Sequence, residues 1–188
     1  MSTARILVPV DFSECSQELL ERAAAIADSG NAELILLNVV VLPPDLDGKL
    51  PVIGADTVLT AHAHLVRTAA ARLRCYESVV RQMGSRVRSH IATGIRISSI
   101  AAAIVRVARD LDADKIIMAD SPGGGLRRIV LGTPADSIRA GARIPVDAIE
   151  IDHSPHCENH TCDWCAATLP EESRDDARSR APLQSRWR

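Results

Sequence analysis

The stretch Ile116-Ile-Met-Ala-Asp-Ser-Pro-Gly-Gly-Gly-Leu-Arg-Arg-Ile-Val-Leu-Gly-Thr133 has the residue types that hold a phosphate. It starts as an apolar strand, passes through three consecutive glycines at Gly123 to Gly125, and ends at Gly132-Thr133-Pro134. Thr133 suits a helix N-cap and Pro134 the first helical position. Glycines let backbone N–H groups approach an anion closely, and a helix N-terminus adds partial positive charge. Arg127 and Arg128 can supply counter-charge. The same glycines also suit a plain surface turn. No Lys precedes Thr133, so this is not a Walker A loop, and the glycines lack the G-x-G-x-x-G spacing of dinucleotide folds.

A second chemical cluster lies near the C-terminus. His153, His156, Cys157, His160, Cys162 and Cys165 fall in one short stretch, with Cys162-Asp-Trp-Cys165 forming a C-x-x-C pair. Cys157 and a His such as His160 can complete a tetrahedral zinc site with that pair, and the same thiols can act in redox sensing. One C-x-x-C without a matched second pair is a weak zinc signal, and incidental thiols on an unstructured tail remain the alternative. No metal ligand is assigned from it. Cys15 and Cys75 sit in helical patterns and read as small packing residues.

These groups need elements to position them. Arg5–Val10, Glu33–Val41 and Lys115–Ala119 are near-continuous apolar runs, expected of strands buried on both faces. Arg86–Ala92 alternates polar and apolar, as an edge strand would, with Gly94 as its break. Ile144–Ile151 is the fifth strand, and Pro145 suits an edge or a strand start. Helical spacing predicts a first helix closed by Gly30, a second from about Asp56 to Met83, a third over Ser98–Leu111 and a fourth over Thr133–Ala140. Asp11 or Ser13 can cap the first helix, with Glu14 three residues after Asp11, and Asp11 reads alternatively as a ligand-facing carboxylate.

Alternation of strands and helices implies an α/β domain: a five-stranded, mostly parallel sheet with helices on both faces. Ligands on such sheets sit beyond the strand carboxyl ends, at a topological switch point. Asp11-Phe12, Val40-Val41, Ala92–Gly94 and Ala119–Gly125 are expected to converge there. After residue 151 the composition turns to Pro, Ser, Arg and acidic residues, and disorder is expected from about Leu169. The division is a domain over 3–151 and a Cys/His-containing tail over 152–188.

Composition narrows the function. The chain has 188 residues, 46% of them hydrophobic but only 2% aromatic, so the core must be aliphatic. A net charge of −2 gives no general attraction to nucleic acid or an anionic membrane. No apolar run is long enough to span a bilayer, and Met1-Ser-Thr-Ala-Arg5 enters a strand with no signal peptide. A cytoplasmic location is expected.

In order and spacing, several segments together resemble the universal stress protein family. Ile6-Leu-Val-Pro-Val-Asp-Phe-Ser-Glu14 looks like its first strand and turn, and Leu36-Leu-Asn-Val-Val40 its second strand. Gly94, Ile100–Ile104 and Ala113–Met118 look like its third crossover and fourth strand; Gly125–Thr133 resembles the end of its nucleotide loop and Ile144-Pro-Val146 its last strand. The resemblance covers residues 3 to 151. It implies an adenine-nucleotide alpha-hydrolase-like, Rossmann-like fold and a stress-response role, with ATP as the cofactor in those members that bind it. It also implies a homodimer through the last strand, here Val146, Ile149 and Ile151.

The resemblance carries over as follows. Pro9 and Asp11 stand at the first turn, with Asp11 near the adenine or ribose. Val39 would wall the adenine, Met118 would lie under the base, and Gly124, Gly125, Gly132 and Thr133 would hold phosphates. The family's loop reads G-x-x-G, nine residues, then G-[S/T]. Gly132-Thr133 match its end, but Ala119 and Pro122 stand at its first two glycines. Ala119 adds a methyl where close approach or positive φ would favour Gly, and Pro122 removes an N–H donor. No catalytic residue is assigned, and any hydrolysis is expected to be slow, since the cleft offers no positioned base and no phosphate-binding Lys. Three readings stay open: an ATP-binding regulatory module with a degraded loop, a non-nucleotide-binding dimeric interaction protein, or a metal- or redox-responsive adaptor acting through the tail.

Overall fold

The computed structural model describes residues 3–12, 16–41, 55–95, 100–120 and 134–151. Expectations for the glycine loop at 121–133 and for the tail at 152–188 lie outside these residues.

Five strands form one sheet: β1 Arg5–Pro9, β2 Glu33–Val41, β3 Arg86–Ile95, β4 Lys115–Asp120 and β5 Val146–Glu150. All neighbouring pairs are parallel, in the order β3-β2-β1-β4-β5. The helices are α1 Ser16–Ser29, α2 Ala55–Gln82, α3 Ile100–Asp110 and α4 Pro134–Gly141. The expected "mostly parallel" sheet is thus wholly parallel among the described residues.

The apolar strand runs are explained by double coverage. Alternate strand residues point to opposite faces. Ile6, Val8, Leu34, Leu36 and Ile117 pack in one cluster with Leu19, Leu20 and Ala23 of α1 and Leu73, Tyr76 and Val80 of α2. Leu7, Ile35, Leu37, Ile116 and Met118 pack in the other with Ile104 and Val107 of α3 and Ile138 of α4. So α1 and α2 cover one face, α3 and α4 the other. Leu7, Leu34, Ile35, Leu36, Leu37, Ile116 and Ile117 are wholly buried, each contributing about 1.5–3 kcal/mol over an exposed position.

Three helices close in the same way. A left-handed residue follows the helix: Asn31 at φ 49° after α1, Gly84 at φ 95° after α2, Asp112 at φ 50° after α3. The next amide then reaches back, Ala32 to the Ala27 carbonyl, Ser85 to Val80 and Ala113 to Ala108. The first helix ends at Ser29, directly before Gly30 as expected, and the left-handed residue of the turn is Asn31. Gly94, by contrast, does not end β3. That strand runs on to Ile95, with Ala92 opposite Val39 and Ile95 opposite Val41, so β3 carries one extra residue there. Pro145 stands just before β5, at the sheet edge, and its carbonyl accepts from the Ile116 amide.

Candidate functional site

The strand order reverses between β1 and β4. From β1 the chain steps to β2 and then β3; it returns across the sheet to β4 and continues outward to β5. The carboxyl ends of β1 and β4 therefore border the crevice where such sheets hold ligands. Pro9 ends β1, and Met118 lies on β4. Counting on from the paired Leu7 and Ile116, Pro9 reaches the level of Met118. Met118 is buried on the α3/α4 face, and Val39, on β2, packs against the same cluster on that face of the strand ends.

Asp11 leaves β1 exposed. Its backbone approach is fixed on both sides of Val10. The Val10 amide donates to the Leu37 carbonyl at 2.8 Å. Asn38 Nδ2 donates to the Val10 carbonyl at 2.8 Å, inside the protein. An amide in the middle of an apolar strand thereby extends the hold on β1 past its last ladder pair, Pro9 with Leu37.

The residue after Asp11 has an unusual backbone. Phe12 has φ 61°, left-handed for a bulky side chain. A right-handed helix cannot begin with such a residue, so Asp11 is not the N-cap of a helix starting at Phe12. Glu14, the partner of the suggested capping box, lies outside the described residues, and Asp11 stands just past the end of β1.

The turn is held from α2. Arg72 Nη2 donates to the Phe12 carbonyl at 3.2 Å, and the guanidinium carbon lies 4.4 Å from the Phe12 ring centroid. Tyr76, one helical turn on, meets the Phe12 ring edge-on, with centroids 5.4 Å apart and planes at 73°. Burial foremost raises the pKa of the Tyr76 hydroxyl; the Arg72 charge and the Ser16 hydroxyl oppose this, and the Asp11 charge adds to it. Ser16 Oγ and Arg72 Nε are both buried without a well-formed hydrogen bond. Asn38, Arg72 and Tyr76 were not among the residues singled out from sequence. The signals present were an Asn in an apolar run and the chain's only Tyr at helical spacing from an Arg.

Not every expected segment meets at the crevice. Ala92–Gly94 ends on the edge strand β3, beside Val39 and Val41 but two strands from β1. Gly124, Gly125, Gly132 and Thr133 lie outside the described residues, as do Cys157, His160, Cys162 and Cys165. Among the described residues no group of three or more His, Cys, Asp or Glu is placed to hold a metal ion, and no helix is long and apolar enough to cross a membrane.

Comparison with known proteins places this geometry. Residues 3–149 match the model of the universal stress protein family. Universal stress protein MJ0531 of Methanocaldococcus jannaschii is 28% identical over 142 residues, 76% of this chain and 79% of that protein. The solved structure of hypothetical protein MJ0577 superposes with a TM-score of 0.63 at 24% identity, over 82% of this chain and 100% of that one. A universal stress protein solved in complex with cAMP superposes with a TM-score of 0.51 at 16% identity, over 81% of this chain and 100% of that one.

Proposed function

The chain belongs to the universal stress protein family, and from that premise we propose that it is a regulatory module that binds an adenine nucleotide at the crevice between β1 and β4. The observation that carries this reading is the placement of Asp11. It is exposed just past the carboxyl end of β1, at the crevice that β4 also borders. A carboxylate there can accept hydrogen bonds from sugar hydroxyls while Val39 and Met118 face a base. The glycines and Thr133 then supply backbone and hydroxyl donors to phosphates at the start of α4. The cAMP complex of a protein with the same fold supports an adenine ligand for this crevice. ATP acts as a conformational ligand rather than as fuel, in a cytoplasmic homodimer. β5 supports that assembly, because it is an edge strand with one side unpaired in the sheet.

A second reading, the same fold without a nucleotide, is favoured by Pro122. It withdraws one amide from the loop that must cradle the phosphates. Calorimetry with ATP on the purified full chain separates the two. The nucleotide reading expects saturable binding, weakened about tenfold by Asp11→Asn, which removes the charge that strengthens the bonds accepted from sugar hydroxyls, and by Thr133→Val, which removes a hydroxyl donor to a charged phosphate. Silent wild-type protein would remove the nucleotide reading.

A further inference from the structure

We propose that Arg72 is a positioning residue for Asp11, reaching from α2 to clamp the Phe12 turn and so holding the carboxylate at the nucleotide crevice. The proposal rests on the nucleotide reading above and deepens it.

The need for a clamp follows from the backbone. A left-handed conformation costs a bulky L-residue about 1–2 kcal/mol, so its surroundings must impose it. Among the described residues, the contacts on the Phe12 carbonyl and ring are not local. The contacts come from a helix 60 residues away in sequence: the Arg72 bond to the Phe12 carbonyl and the guanidinium over the Phe12 ring. Tyr76 closes the aromatic side of the same turn. The chain has one Phe and one Tyr, and they meet here.

An arginine is a costly choice for packing alone. Its Nε is buried without a hydrogen bond, and the surrounding cluster is apolar. A hydrophobic residue of similar volume would fill that space without the desolvation penalty. What an apolar residue cannot do is donate to the Phe12 carbonyl and stack a planar cation on the ring at once. Those two contacts hold the ring and the carbonyl of Phe12, the residue that follows Asp11. The Arg72 and Asp11 charges both act on the Tyr76 hydroxyl, the first opposing and the second adding to the rise that burial imposes on its pKa.

The test is a double-mutant cycle on ATP affinity, measured by calorimetry on the full chain, with thermal melts of every variant. Asp11→Asn and Arg72→Met are each expected to weaken ATP by about tenfold. The double variant is expected to be no weaker than Asp11→Asn alone, because Arg72 acts through Asp11. A merely structural Arg72 would lower the melting temperature and leave the two effects multiplicative, near a hundredfold, which overturns the proposal. Wild-type affinity in Arg72→Met overturns it as well, and leaves the nucleotide reading standing if Asp11→Asn still weakens ATP. Wild-type affinity in Asp11→Asn overturns both the positioning role and the part of the nucleotide reading that rests on Asp11. A wild-type protein that does not bind ATP overturns both together. If Arg72→Met does not fold, Arg72→Lys takes its place in the cycle. It keeps a charge and a donor but loses the planar stack, and a few-fold weakening that vanishes in the Asp11→Asn background is expected.

Discussion

Asn38→Asp tests how the end of β1 is held. The side chains have nearly the same shape, so packing changes little, but the donor that serves the Val10 carbonyl at 2.8 Å becomes a carboxylate. Asn38 is 8% exposed, so a charged replacement would face a carbonyl oxygen with little water to screen it. The buried acid therefore stays protonated, with a pKa above its usual value of about 3.9. Protonated, it can donate its O–H to the Val10 carbonyl and do nearly what Asn does. The sign follows. The folded state binds the proton more tightly than the unfolded chain, so the variant is close to wild type below about pH 4 and loses stability as pH rises. The loss is about 1.4 kcal/mol per pH unit, reaching about 4 kcal/mol at pH 7 if the acid remains neutral. Against a total of about 5–15 kcal/mol, that leaves the domain marginal at neutral pH. Urea denaturation of both proteins at pH 4.5 and 7.5 measures it: the stability gap should widen by as much as about 4 kcal/mol. An unchanging gap would mean that residue 38 reaches water and that the Val10 carbonyl does not depend on it.

Tyr76 is the chain's only tyrosine, so ultraviolet absorbance titrates it directly. Its ionisation is expected above the usual value of about 10, because burial disfavours the phenolate, and higher still in Arg72→Met, which loses the opposing positive charge. With a folded-state pKa raised, the stability this group confers is complete below about pH 10 and is lost as pH rises beyond it; Tyr76→Phe should abolish that alkaline loss. Ile117→Ala removes a wholly buried side chain from the middle of the sheet and is expected to cost about 2–5 kcal/mol in denaturant unfolding. A cost below 1 kcal/mol would contradict the packing described. In the loop, Pro122→Gly is expected to strengthen ATP binding, whereas Ala119→Gly is expected to lower stability by about 0.5–1 kcal/mol without improving affinity; calorimetry and melts on the two single variants decide it.

The strands were legible because burial on both faces leaves an unmistakable apolar run, as in Ile6–Val8 and Leu34–Leu37. The edge position of β5 was legible from Pro145, which gives up a ladder donor. What the sequence hid were contacts whose partners lie far along the chain. Asn38 reads as an interruption until Val10, 28 residues earlier, is seen to need its donor. Arg72 reads as one of several arginines on an exposed helix until the Phe12 carbonyl is found beneath it. The left-handed turn at Phe12 was hidden for the same reason, since local spacing shows neither Arg72 nor Tyr76 against it. Gly30 marked the end of α1 correctly, but Asn tolerates the left-handed conformation well enough to take the turn itself at Asn31.

The two departures from the family's loop do not weigh alike. Ala119 stands where the loop's first glycine falls, and a methyl there would matter if the backbone turned left-handed or lay against the ligand. It does neither part of the turning: β4 continues through Asp120, Ala119 is in register with Ile149 of β5, and it is absent from the left-handed residues. Its methyl packs with the cluster under α1 and α2, the face opposite the one Val39 and Met118 line. The alanine is therefore a strand residue that stiffens β4 and keeps the sheet paired up to the crevice. Pro122 has no such account, since it follows the end of β4 in sequence and lies outside the described residues. Under the nucleotide reading proposed above, the missing N–H at Pro122 is therefore the departure that counts against phosphate binding, and the Pro122→Gly variant is the one that tests it.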